Sequence, residues 1–100
     1  MDFHIFEDKE LTKPIESPID LGKLKAGETK DFPFYVFNAS VNPYEELEFT
    51  VDHKEVEVIS APSEMEEKSS SRFVLQWKPS VDIKKGLKTS IKIEGFQVIG

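Results

Sequence analysis

Between Thr29 and Asn38 apolar side chains fall on every second residue. Phe32, Phe34 and Val36 share one parity, while Pro33, Tyr35 and Phe37 share the other. Turn-forming residues stand on both sides, with Leu21-Gly22 and Gly27-Glu28 before the run and Asn38 closing it. A period of two places alternate side chains on opposite faces of an extended chain, so this segment is a strand with one core face and not a helix. Both of its faces are apolar, so the second also needs cover, from the N-terminal segment or from a partner. Pro33 has no N–H to give to a ladder and is expected at an edge or a bulge.

The same period recurs down the chain. Leu47, Phe49 and Val51 alternate with Glu46, Glu48, Thr50 and Asp52, Val56 and Val58 alternate with Glu55 and Glu57, and Phe73, Leu75 and Trp77 precede Pro79. Thr89, Ile91 and Ile93 form a last strand, and Gly95 marks a bulge, because Phe96 and Val98 take up the opposite parity. Val81, Ile83 and Leu87 bracket a turn at Lys84-Lys85-Gly86, and Ser63–Ser71 is a polar connection. With short strands at Asp2–Phe6 and Ile19–Leu21, about seven antiparallel strands recur with turn signals every ten residues or so, the pattern of a single all-β sandwich. Residues 1–18, held extended by Pro14 and Pro18, form an N-terminal segment with a short strand, and residues 19–100 form the sandwich domain.

One hundred residues suffice for one core. Cysteine is absent, so stability comes from packing rather than from disulfides or thiolate-bound metal. The net charge of −6 is carried by residues 1–50, which hold five lysines against eleven acidic side chains. Such a surface repels phosphate backbones and excludes nucleic acid as the expected partner. No stretch reaches the roughly 20 apolar residues of a membrane span, and Met1–Asp8 lacks the basic and apolar segments of a secretory signal.

Candidate chemistry is sparse. His4 and His53 are the two histidines, and a zinc centre needs three or four convergent ligands. Glu55 and Glu57 share an outward, solvated face, which gives no pair of unlike carboxyl groups for acid–base work. There is no Gly-x-Ser-x-Gly elbow and no Gly-rich phosphate loop. Asn38-Ala39-Ser40 spells a glycosylation sequon but is better explained as a capped strand end. No cofactor, metal or catalytic residue is expected. Trp77 belongs to the core. Aromatic residues on an outer sheet face make a binding patch, and Phe3, Ile5, Phe6, Tyr35, Phe37 and Tyr44 are the candidate partner-binding residues.

Leu21-Gly22, Gly27-Glu28 and the alternation Phe32, Phe34, Val36 ending at Asn38 resemble the opening of the ASH/MSP-like group of immunoglobulin-like domains. Leu47/Phe49/Val51, Val58, Pro62, Phe73/Leu75/Trp77 with Pro79, and Gly86 before Ile91 and Ile93 keep that group's order, so the resemblance covers residues 19–95. Where the group has a Pro-Gly turn ahead of the tryptophan strand, this chain has Glu66-Glu67-Lys68-Ser69. The resemblance implies an immunoglobulin-like fold and a non-catalytic adhesion, scaffolding or assembly role. The opening residues, Phe3–Phe6, Glu7-Asp8, Leu11-Thr12 and Pro14-Ile15, resemble small virion proteins of tailed phages. This second resemblance implies a capsid decoration or virion accessory protein that docks on a capsid or virion protein. The alternative is a cytoplasmic adhesion or scaffold domain that pairs a strand edge with a cellular protein. Neither nucleic acid nor membrane is expected as a partner.

Overall fold

The computed structural model describes residues 2–82 and 86–99. Ile83, Lys84 and Lys85, and with them the turn expected at Lys84-Lys85-Gly86, lie outside the described residues. The fold is all-β, with no helix among the described residues. Nine strands succeed one another: β1 (Phe3–Phe6), β2 (Pro14–Ile15), β3 (Ile19–Gly22), β4 (Lys30–Asn38), β5 (Tyr44–Val51), β6 (Val56–Ser60), β7 (Ser70–Trp77), β8 (Leu87–Thr89) and β9 (Ile91–Gln97). They form three antiparallel sheets, β2-β1-β4-β7-β6, β3-β8 and β5-β9.

Two strands go beyond the seven that apolar alternation predicts. β2 is two residues long and begins with a proline, too short to show a period. The last predicted strand is broken at Ser90 into β8 and β9.

The longest pairing sets the fold. β4 and β7 run side by side from Lys30↔Trp77 to Phe37↔Ser70. The register puts Phe34 opposite Phe73 and Phe32 opposite Leu75 on one face. That face is the core. Val36, Phe73, Leu75 and Trp77 have no exposed surface, and Phe34 is 7% exposed. Ile19 and Leu21 of β3, and Leu47 and Phe49 of β5, bury themselves in the same cluster, so all three sheets contribute to one core. The Phe49 and Phe73 ring centroids lie 5.2 Å apart, which joins β5 to β7 across it.

Local chemistry fixes the irregular points. Gly27 holds a φ of +83° in the turn before β4. Pro33 sits in the half of β4 that β1 does not reach, since β1 pairs only with residues 35–38, and so it costs no ladder bond on that side. In the turn before β7, Lys68 occupies the left-handed region at φ +51°. The extra residue of the β5–β9 bulge lies on β5. Three steps from Glu45 to Glu48 face two from Phe96 to Glu94, and Glu46 turns to φ +52°. Gly95 is required opposite it, because a Cβ there would stand 2.7 Å from Leu47 Cδ2 and 3.0 Å from the Glu45 carbonyl oxygen.

Two polar residues hold loops to the core. Asn38 is fully buried. Its amide donates to the carbonyls of Asn42 at 3.1 Å and Glu66 at 3.0 Å, and its oxygen accepts the Ser40 N–H at 3.0 Å. With its nitrogen committed and enclosed, the sequon has no room for a glycan in the folded chain. Met65 is 4% exposed and exchanges two backbone hydrogen bonds with Tyr44, pinning the polar connection to β5.

Two substitutions test this packing by urea unfolding. Trp77→Ala is expected to cost about 3–5 kcal/mol. Trp77→Phe should cost less, because the Trp77 ring nitrogen is buried without a hydrogen-bond partner among the described residues. Gly95→Ala is expected to destabilise by about 1–3 kcal/mol through overpacking against Leu47 and the β5 backbone. An unchanged midpoint for Gly95→Ala would contradict the close approach.

Candidate interaction surfaces

β1 and β2 form a hairpin at one end of the five-stranded sheet, with Ile5 opposite Ile15 and Phe6 opposite Pro14. Asp8 organises the loop between them. Its carboxylate accepts the N–H groups of Thr12 and Lys13, each at 2.9 Å, and the Thr12 hydroxyl, while its carbonyl accepts the Leu11 N–H. The hydrogen bond from Thr12, assisted by the backbone N–H groups, holds the Asp8 carboxyl below its ordinary range.

After Ile15 the chain leaves this sheet and enters β3, whose partner is β8. The crossing leaves a groove of about 320 Å³. β1, from Phe3 to Phe6, lines one wall with Pro14 and Ile15, Ile91 and Ile93 of β9 line the other, and Glu16 and Ser17 border it. Its lining is mainly hydrocarbon, suited to apolar side chains rather than to bond-making chemistry.

Asp52 ties the end of β5 to the start of β9. Its carboxylate accepts the Ser90 N–H at 2.8 Å and the hydroxyl of buried Thr89 at 2.9 Å, and its own N–H donates to the Ser90 carbonyl at 3.3 Å. These bonds stand at the break between β8 and β9. The Ser90 N–H, then the Thr89 hydroxyl, lower the Asp52 pKa. At the far end of the core, Glu55 likewise accepts the Ser80 hydroxyl and N–H, and its pKa is lowered by those bonds.

A second surface lies on the opposite face of the five-stranded sheet. The register places Phe6 opposite Tyr35 and His4 opposite Phe37, with Arg72 and Ser70 of β7 next in line. None of Phe6, Tyr35 and Phe37 belongs to the core cluster or packs against it, and each is half-buried. β1 therefore does not lie over Tyr35 and Phe37, as cover from the N-terminal segment would require. It pairs beside them and extends their face.

The six expected contact residues thus divide. Phe6, Tyr35 and Phe37 share the outer face. Phe3 is buried at 9% exposure, with its ring centroid 4.7 Å from that of Tyr44, so neither belongs to that face. The Tyr44 hydroxyl donates to the Asp2 carboxylate, and this bond raises the Tyr44 pKa. Ile5 faces the groove with Ile15, Ile91 and Ile93, three residues that sequence reasoning did not include. Their signal was present in the inward parity of Ile91 and Ile93. Nothing local showed that Ile15, between Pro14 and Glu16, would come to face them. His4 and His53 stay apart: His4 is exposed on the outer face, and His53 Nδ1 accepts the Glu55 N–H at 3.1 Å. No group of three or more metal-ligating side chains comes together among the described residues, and no helix there is long and apolar enough to cross a membrane.

No protein-family model, curated protein or solved structure matches the chain.

The three lowered carboxyl groups fix the sign of the pH dependence. Each has a folded pKa below its ordinary value of 3.8 (Asp8, Asp52) or 4.5 (Glu55), so its contribution is present above that value and disappears as pH falls through the folded one. The melting temperature is expected to stay level from neutral pH down to about pH 5 and to drop below about pH 4. Asp52→Asn should make that acid limb shallower. A melting temperature that rises on acidification would contradict the assignment.

Proposed function

We propose that the chain is a non-enzymatic, immunoglobulin-like β-sandwich module that acts by docking on a larger protein assembly. Two sheets face each other in this reading. One is the five-stranded sheet, and the other is a composite of β3, β8 continuing through Ser90 into β9, and β5. The Phe49–Phe73 contact and the shared core support that arrangement.

The observation that carries the docking role is the outer aromatic face, where Phe6, Tyr35 and Phe37 stand side by side on rigid, paired strands away from the core. Aromatic residues held on a sheet supply large contact area at little entropic cost. A stable contact needs on the order of 800 Å² from each partner, more than these three rings and within reach of the whole face. The resemblance of residues 3–15 to small phage virion proteins favours a capsid or virion surface as the assembly, with the chain as decoration or accessory protein. A second reading, an adhesion or scaffold domain pairing a strand edge with a cellular protein, is favoured by the edge of β9 that has no strand partner among the described residues.

Removing residues 1–18 would not test the docking role, since β1 carries buried Phe3 and two strand pairings. The suitable variant is Tyr35→Ser/Phe37→Ser, with Phe6→Ser as a second. Each is added with wild type to lysate of the source and sedimented through a sucrose cushion, after a thermal melt shows it folded. Wild type is expected with the particles and the variants in the supernatant. Wild type left in the supernatant, or folded variants that sediment as it does, would contradict the proposal.

A further inference from the structure

Strands at the ends of sheets present unpaired backbone groups, and proteins blunt such edges with bulges, prolines, charge or brevity. Among the described residues five of the six end strands do so by brevity, proline or a bulge. β2 has two residues and starts with Pro14, and β8 has three. β3, β5 and β6 each carry a bulge, at Leu21, Glu46 and Ile59. β9 has neither bulge, proline nor brevity and carries only the charges of Lys92 and Glu94. It runs for seven residues and has β5 as its strand partner on one side. Its free edge borders the apolar groove, into which Ile91 and Ile93 point.

We propose that the β9 edge pairs with the β9 edge of a second copy of this chain, in an antiparallel register centred on Ile93. Charge selects the occupant and the register. Lys92 and Glu94 are exposed on the outward parity of β9 and lie 3.4 Å apart in an ion pair with each other. Centred on Ile93, the antiparallel pair sets each Lys92 opposite the Glu94 of the other copy and sets Ile93 against Ile93. Moving the centre by one residue either way sets Lys92 against Lys92 or Glu94 against Glu94, which is repulsive. On the inward face the same register brings Ile91 opposite Gly95, whose place is filled by the Leu47 side chain of β5. The contact is isologous and closes on itself as a two-fold dimer. It extends two β5-β9 sheets into one four-stranded sheet and covers part of each groove. This dimer does not depend on the docking role proposed above, since the outer aromatic face lies on the other sheet.

The test is sedimentation equilibrium of the full chain across concentrations from micromolar to millimolar, with a charge-swap cycle. Wild type is expected to dimerise. Lys92→Glu and Glu94→Lys should each weaken dimerisation roughly tenfold or more, because each turns two attractive cross-strand pairs into repulsive ones. The double variant Lys92→Glu/Glu94→Lys should recover most of the wild-type affinity. Both positions are solvent-exposed, and thermal melts of the variants confirm folding. A monomer throughout the range would overturn the proposal. So would a dimer indifferent to the single reversals or not rescued by the double swap, including the case where an extended peptide of another protein occupies the β9 edge.

Discussion

The pairing of β4 with β7 is the constraint on which the rest depends. Eight consecutive residue pairs align two strands so that Phe34, Val36, Phe73, Leu75 and Trp77 all face one way. A slip of one residue would turn this set outward and expose several of the largest side chains in the protein. Burial of these side chains is worth about 1.5–3 kcal/mol each, so the register is strongly specified. The other two sheets then have a surface to cover, and Ile19, Leu21, Leu47 and Phe49 do so.

From that packed face the candidate surfaces follow by subtraction. The core side of the five-stranded sheet is consumed by packing, leaving its outer side to Phe6, Tyr35 and Phe37. The chain crosses between sheets after β2, so the β1–β2 end cannot also cover β9. The groove and the open β9 edge result. Asp8 and Asp52 brace these two walls by accepting backbone N–H groups beside them.

Much of this was legible in the sequence wherever a strand had one face to bury. Leu47, Phe49, Val56, Phe73, Leu75 and Trp77 fall on every second residue of their strands, mostly between polar neighbours, and are all buried. Gly27 and the outward parity of Tyr35 and Phe37 were equally readable, because each depends on local chain geometry, whereas the bulge expected at Gly95 has its extra residue across the ladder on β5, at Glu46. The rest depends on partners far along the chain. Met65 lies among glutamates and serines, and only its backbone bridge to Tyr44 makes it a core residue. Asn38 was legible as a strand end, but its two carbonyl partners lie 4 and 28 residues away. Phe3 and Tyr44 were expected on a contact surface and instead meet each other with tilted rings, because β1 joins the edge of β4 rather than lying over it. Ile15, between Pro14 and Glu16, becomes a groove wall only through its pairing with Ile5.

Native-state hydrogen exchange tests the central claim, that the β4–β7 pair is the stability core, most directly. Amides bonded between β4 and β7 should exchange only through global unfolding and share the highest protection in the chain. The short β1–β2 hairpin and the β3–β8 pair should open at lower free energy. Equal or greater protection in β1–β2 or β3–β8, with β4 and β7 exchanging first, would contradict the account.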